Sequence, residues 1–293
     1  MLRWQIGEAT VTSVVEMSSL TSPSFLFEGV DKAAVAAMAH EAGWLVPHFV
    51  TPSGLLPISI QCLVIEVGDH TIAVDTCVGN DKPRAIPEWH ERQGSFLDDM
   101  AGAGFPPESV TEVVCTHLHT DHVGWNTRLV DGVWVPTFSH ARHLLVRAEY
   151  DHWERERGLF GDDVFADSIA PLEAADMVDL VDPTHRICEQ VWLESTPGHT
   201  PGHVSVRIES AGAKAVITGD MVHTPIQMLD PELALSFDTD QASSRRTRHE
   251  AFARWADGDT MVIGTHFAPP GGGTLHAAGG DGFRLEPGPI EPE

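Results

Sequence analysis

Short β-branched runs, broken by Gly, Pro and Asp, set the rhythm of this chain. The runs at Thr10–Val15, Ile60–Val67, Thr71–Asp75, Glu112–Thr116, Val191–Ser195, His203–Ile208, Lys214–Thr218 and Met261–Gly264 read as strands. Between them lie stretches with helical spacing. In the clearest, Asp31 to Ala42, Val35, Met38, Ala39 and Ala42 share one face, Asp31 suits the N-cap and Gly43 the stop. Further helices are expected near Gly94–Ala103, Ala148–Arg157 and Ser243–Ala256. Strands outnumber helices, yet helices are spread throughout, which predicts packed sheets covered by helices. The whole chain, 1–293, reads as one domain, with 17–57 a candidate lid or pocket insertion. Glycine runs and a PGPIEPE ending predict a partly mobile tail over 268–293.

Composition narrows what such a domain does. With 42% hydrophobic and 21% charged residues, the chain can bury a substantial core. The opening residues hold no apolar run of signal-peptide length, and no segment approaches the ~18 apolar residues of a membrane span, so a soluble protein without a membrane partner is expected. Lys and Arg number 18 against 43 Asp and Glu, a formal charge of −25 that repels nucleic acid. The densest basic stretch, Arg245, Arg246 and Arg248, is mixed with Glu250 and reads as a solvated helix face. Cys62, Cys77, Cys115 and Cys188 form no CxxC pair; buried free thiols and a cytoplasmic location are the expectation.

The chemistry concentrates directly after the strand-like EVVCT, in His117-Leu118-His119-Thr120-Asp121-His122. Imidazoles two apart, leaving a strand end, can point the same way and hold one ion. Asp121 and His122, turned differently by the loop, can reach a second. Neutral imidazole and carboxylate suit zinc and related first-row metals.

The HLHTDH text resembles the HxHxDH motif of the metallo-β-lactamase superfamily, and further stretches match in order. Thr196-Pro197-Gly198-His199-Thr200-Pro201-Gly202-His203 is similar to the superfamily's TPGHTxGH, Ile217-Thr218-Gly219-Asp220 to the strand ending in a bridging Asp, and Gly264-Thr265-His266 to the last ligand strand. Val74-Asp75-Thr76 matches a strand end whose Asp is a supporting residue. The resemblance, spanning roughly Ile60 to Phe267, implies an α/β fold, an αββα sandwich of two mixed sheets flanked by helices, with metals at one edge. It implies two divalent ions, zinc foremost with Mn, Fe or Co as alternatives. His117, His119 and His199 would hold the first, Asp121, His122 and His266 the second, and Asp220 would bridge. His203, which begins a strand, is expected to be structural.

The resemblance also orders the activities. Lactamases of this fold usually carry Cys or Ser where Asp220 stands, so β-lactam hydrolysis is demoted. The flavodiiron branch typically has Glu where His119 stands, which argues against O2 reduction. Two divalent ions acidify water towards a pKa of ~7 or lower and polarise a carbonyl or phosphoryl oxygen. Asp121 and Asp220 are candidate catalytic groups, and so is His223, which stands where the lactonase branch commonly has Tyr. The apolar residues Phe25, Leu26, Phe27, Trp44, Leu45, Phe49, Trp125 and Phe267 are expected to rim the site, with WLVPHF as a wall. A neutral, fairly apolar ester or lactone is the expected substrate, as in the acyl-homoserine-lactone lactonase and methyl-parathion-hydrolase-like branch. Aryl phosphotriesters and glyoxalase II-like thioesters are the alternatives, followed by a mononuclear-iron persulfide dioxygenase. A homodimer is compatible with this reading.

Overall fold

The apolar runs become the inner strands of two sheets packed face to face. The computed structural model describes residues 1–157, 161–256 and 258–288. The first sheet has the order β1-β2-β3-β4-β5-β8-β9. Its strands are β1 (Arg3–Ile6), β2 (Ala9–Thr21), β3 (Leu56–Val67), β4 (His70–Val74), β5 (Glu112–Val114), β8 (Arg142–Val146) and β9 (Val178–Val181). The second runs β10-β11-β12-β13-β14-β15, built from β10 (Val191–Ser195), β11 (Val204–Ser210), β12 (Ala213–Ile217), β13 (Thr260–Ile263), β14 (Gly272–Gly279) and β15 (Gly282–Pro287). Both are mixed: β4, β5, β8 and β9 run parallel, as do β12 and β13, while the other pairings are antiparallel. A separate ribbon joins β6 (Thr127–Val130) to β7 (Val133–Pro136).

Alternation along the central strands explains the layering. Leu63, Ile65 and Val67 of β3 meet Val204, Val206 and Ile217 between the sheets. Cys62 and Val64 point the other way, into a core with Phe96 and Met100 of α3 (Phe96–Gly102) and Trp153 of α4 (Arg147–Glu156). Val216 and Val262, on the outer face of the second sheet, pack with Val35 and Ala39 of α2 (Lys32–Ala42) and with Ala251, Phe252 and Trp255 of α7 (Gln241–Trp255). Helix, sheet, sheet, helix is the result, the expected αββα sandwich. The short helices α1 (Pro23–Leu26), α5 (Ala170–Ala174) and α6 (Ile226–Leu229) complete it.

Helix α2 follows its sequence signals closely: the Asp31 carboxylate accepts from the Ala34 N–H at 2.8 Å, and Gly43 ends it in the left-handed region at φ 74°. One expectation changes. Trp44–Phe49 is not a wall of the site: Leu45 and Phe49 are buried beneath α2 and pack with Phe267, whose ring centroid lies 6.1 Å from that of Phe49. Within the tail, β14 and β15 pair as an edge hairpin that buries Leu275 and Leu285; residues 289–293 of the tail lie outside the described residues. The four cysteines are free thiols, three of them buried. Among the described residues, no helix is long and apolar enough to cross a membrane.

Candidate metal centre

Strand ends deliver the chemistry to one edge of the sandwich. The loop after β5 carries His117, His119, Asp121 and His122; the β10–β11 turn carries His199; the residues after β12 and β13 supply Asp220 and His266. Gly219 precedes Asp220 at φ 57°, and a Cβ there would sit 2.5 Å from the ring of His203, so the tight turn admits only glycine. Asp75, also in the left-handed region at φ 58°, turns its carboxylate under the loop to accept from the Thr116 N–H at 2.7 Å and the Thr116 hydroxyl at 2.9 Å.

Two groups of donor atoms converge, with Asp220 common to both. In the first, His119 Nδ1 lies 2.9 Å from both His117 Nε2 and His199 Nε2, while Asp220 Oδ2 is 3.7 Å from His117 and 3.6 Å from His199. In the second, His122 Nε2 and His266 Nε2 are 3.3 Å apart; Asp121 stands 3.7 Å from the former and 3.6 Å from the latter, and Asp220 3.2 and 3.1 Å.

The outward nitrogens say what faces inward. His199 Nδ1 donates to Asp238 at 2.8 Å, His122 Nδ1 to Asp75 at 2.9 Å and His266 Nδ1 to the Ser59 carbonyl at 2.9 Å. His117 Nδ1 sits 3.2 Å from the Thr116 hydroxyl, which itself donates to Asp75. Each of these rings therefore presents an Nε2 lone pair to the centre. Lone pairs facing one another and a carboxylate at 2.9–3.7 Å are the arrangement that a cation between them would satisfy. Asp220 Oδ1 makes no hydrogen bond there.

The charges agree. Burial, with His122 and His119 close by, pushes His117 well below the usual imidazole range. Burial opposes charge on His122 too, yet Asp220, Asp75 and Asp121 outweigh it and raise that imidazole well above its usual value. Burial alone would raise Asp220, but His122, His223 and His266 hold it far down. A field of this kind, negative amid imidazoles that cannot all be charged, is suited to divalent cations.

His203 stays out of the cluster. Its Nε2 accepts from the Asp220 N–H at 2.8 Å and its Nδ1 faces the Thr196 carbonyl at 3.0 Å, so it holds the Asp220 backbone, and burial takes its pKa down to about 3. His223 enters: its Nε2 is 3.0 Å from Asp220 Oδ2, and its backbone N–H is fixed by the Gln227 side chain at 2.8 Å.

Above the donors opens a cavity whose polar floor is His119, Thr120, Asp121, Asp220, His223 and His266. Ile58 and Ile60 of β3, Phe25 and Leu26 of α1, Ile86 and Trp89 of the loop after β4, and Phe237 form its walls, with Ser19 and Thr21 at the end of β2. Of the apolar residues expected at the rim, Phe25 and Leu26 line it. Phe27, Trp44, Leu45, Phe49 and Phe267 belong to the core around α2 and α7, and Trp125 stacks on Phe96 at 5.7 Å. Sequence reasoning missed Ile86, Trp89 and Phe237, which stand in irregular loops with no spacing to mark them.

Fold and site together define a metal-dependent hydrolase. The chain belongs to the metallo-beta-lactamase superfamily, whose family model matches residues 56–266. It is similar to an N-acyl homoserine lactonase of Bacillus thuringiensis, 26% identical over 209 residues that cover 64% of this chain and 76% of that one. Among solved structures it resembles the hydrolase AbOPH of the beta lactamase superfamily, with a TM-score of 0.79, 23% identity and coverage of 99% of this chain and 98% of that one. It also resembles AidC, a dizinc quorum-quenching lactonase, with a TM-score of 0.78, 20% identity and the same coverage of both chains.

Proposed function

We propose that this chain is a dinuclear metal-dependent hydrolase that opens a neutral, fairly apolar lactone or ester. One observation carries the reading: His117, His119, His199 and Asp220 converge beside Asp121, His122 and His266, with Asp220 also 3.2 Å from His122 and 3.1 Å from His266, beneath an apolar cavity whose lining includes no Lys or Arg. His117, His119 and His199 would hold one divalent cation and Asp121, His122 and His266 the other, with Asp220 available to both; zinc is the foremost ion, with Mn, Fe or Co as alternatives. Bound there, the pair supplies an acidified water near neutral pH and polarises the substrate's carbonyl oxygen.

The chain's own groups do the rest. The carboxylate of Asp121, on the cavity floor, orients the attacking water by accepting its hydrogen bond. His223 Nε2, on the cavity floor beside Asp220, donates to the leaving oxygen, where alkoxide charge develops. Ile58, Ile60, Trp89 and Phe237 exclude bulk water and take the apolar part of the substrate. A glutathione thioester or nucleotide would bring carboxylates or phosphates to a wall with no cationic partner. An aryl phosphotriester is neutral and meets Trp89 and Phe237, so it is the second reading. The free thiols support a cytoplasmic location.

The test is a rate comparison on purified, metal-quantified protein across lactones, alkyl esters, aryl esters, thioesters and phosphotriesters. About two first-row metal ions per chain, loss of turnover on chelation and the highest kcat/KM on lactones are expected. The highest kcat/KM on phosphotriesters would hand the function to the second reading, and one tightly bound iron with O2- and thiol-dependent turnover would overturn both.

A further inference from the structure

Four of the five imidazoles facing the two donor groups have their outward nitrogen tethered; His119 does not. Its Nδ1 faces the centre, and its buried Nε2 has no hydrogen-bond partner. What stands beside it instead is the ring of Trp153, packed edge-on at 5.1 Å and 67°. Trp153 is itself buried, and its indole N–H donates to Glu149 Oε1 at 2.6 Å, one helical turn back on α4.

Glu149 does more than hold the indole. It is 1% exposed, and Oε1 also accepts from the Leu118 N–H at 3.1 Å, between the first two histidines of the HLHTDH loop. Oε2 accepts from the Gly202 N–H at 2.9 Å, in the loop that carries His199. These loops are 80 residues apart in sequence and contribute all three imidazoles of the first donor group. Gly202 lies so close to α4 that a Cβ would fall 2.3 Å from the Glu149 backbone nitrogen, which accounts for glycine before His203. Both oxygens of this buried carboxylate are engaged by its three N–H groups, and no neutral side chain accepts all three.

We propose that Glu149 is a positioning residue for the first metal site: it staples the two loops that supply His117, His119 and His199, and through Trp153 it sets the ring of His119. The proposal rests on the ligand assignment above. The mechanism is geometric. Glutamine at 149 would turn an amide N–H towards a backbone or indole N–H, so one loop or the indole loses its acceptor. The His119 ring, with no tether at Nε2, then rocks. The second donor group, tied to Asp75 and Ser59, does not depend on Glu149.

The test compares Glu149→Gln with Glu16→Gln. Glu16 is a matched control, since its buried carboxylate also accepts two backbone N–H groups, Val78 at 2.8 Å and Gly79 at 3.2 Å, and an indole, Trp125 at 2.7 Å. Competition with a chromophoric chelator reads the two zinc affinities separately. Glu149→Gln should weaken one of them ~10–100-fold, the usual range for lost support of a ligand, and leave the other unchanged. Glu16→Gln should change neither while lowering Tm. Imidazole NMR of the metal-free protein is the second readout: one ordered His119 ring in the parent chain, an averaged one in Glu149→Gln. Equal weakening of both ions, weakening of neither, or an unaltered His119 signal would overturn the proposal. A parent chain that never holds two ions would instead refute the dinuclear reading, and the NMR comparison would still decide the role of Glu149. Should Glu149→Gln not fold, Trp153→Leu takes its place, with the same one-sided weakening and averaged ring expected and their absence decisive.

Discussion

On the floor of the cavity, Asp220, His119 and His266 are buried, His266 Nδ1 donating to the Ser59 carbonyl and the His119 ring packed edge-on against Trp153. On its walls, Phe25 is 50% exposed on a four-residue helix, and Trp89 and Phe237 are half-buried in loops. Polar groups taken out of water are held in direction as well as in number, and on the floor the exceptions, Asp220 Oδ1 and His119 Nε2, belong to donor-group residues. Apolar walls gain by area alone, which many side chains can supply. On the proposed function, the floor would carry the reaction and the walls the choice of substrate, a division that can be probed from either side.

The largest effect is expected under a wall. The loop bearing Ile86 and Trp89 is anchored by a buried charge cluster: Arg84 meets Asp167 at 2.6 Å and Lys82 meets it at 3.3 Å, with the Lys82 ammonium 3.9 Å over the Trp134 ring. Burial brings Lys82 down to about 7, and Asp167 is held below its usual range by Arg84 and Lys82 against the penalty of its own burial. Asp167→Asn removes the carboxylate that pairs with the buried Arg84 guanidinium and holds the proton on Lys82, and should cost ~3–5 kcal/mol of stability, read by urea unfolding. A loss under ~1 kcal/mol would mean that water reaches the cluster and that the wall rests on something else.

Next comes the floor. Asp220→Ala removes the carboxylate between the two donor groups and should lower kcat ~100–1,000-fold with the fold retained, the scale of a lost electrostatic stabiliser. Near-normal kcat and metal content in this variant would remove Asp220 from the centre of the proposal.

The two regions also differ in how far the sequence foretold them. Donor residues sit at strand ends; HLHTDH stood out by its own density of His and Asp, whereas PGHTPGH and the Asp of ITGD were marked by their resemblance to the metallo-β-lactamase motifs. The strands themselves were legible where the chain is buried on both faces, as in β3 and β12, and β10 appears with the bounds its pattern indicated. Strand β2 runs on past Val15 through polar Ser18 and Ser19 because it pairs with Pro57 to Ser59, a partner no local pattern reveals. The glycines of β14 read as loop, yet the ladder with β13 and β15 takes them into the sheet. Trp44–Phe49 misled for the converse reason: an apolar loop suits a wall or a core equally, and the packing of α2 over it decided. Glu149 and Trp153 gave no signal, since a Glu and a Trp four apart on a helix are ordinary until two loops close on them.

His223 lies on the boundary between floor and wall, in contact with Asp220 and open to the cavity. If it protonates the leaving oxygen, its removal should matter most when that oxygen is a poor leaving group. His223→Phe should slow alkyl lactones and esters ~100-fold, within the range of general acid catalysis, and nitrophenyl esters far less. Equal losses for both substrates, or none, would move His223 to the supporting structure of Asp220.

The smallest effect is expected at Phe237, and it is the sharpest test of the division. Its ring packs 6.2 Å from Phe25 on the wall side, and 5.8 and 5.7 Å from His199 and His223 on the floor side. A wall side chain contributes contact area to the bound substrate, and half-burial of a phenyl ring amounts to ~1–1.5 kcal/mol, or about tenfold in affinity. Phe237→Ala should therefore raise KM about tenfold for lactones with a long apolar substituent and far less for those with a short one. The kcat should hold, and so should metal content. Phe237→Leu, which keeps most of the apolar area, should recover much of the loss. The opposite pattern, with kcat falling alike for long and short substrates and KM unmoved, would show that the ring orients His199 or His223. Phe237 would then belong to the floor, and the line between chemistry and choice would have to be drawn further out, at Phe25 and Trp89.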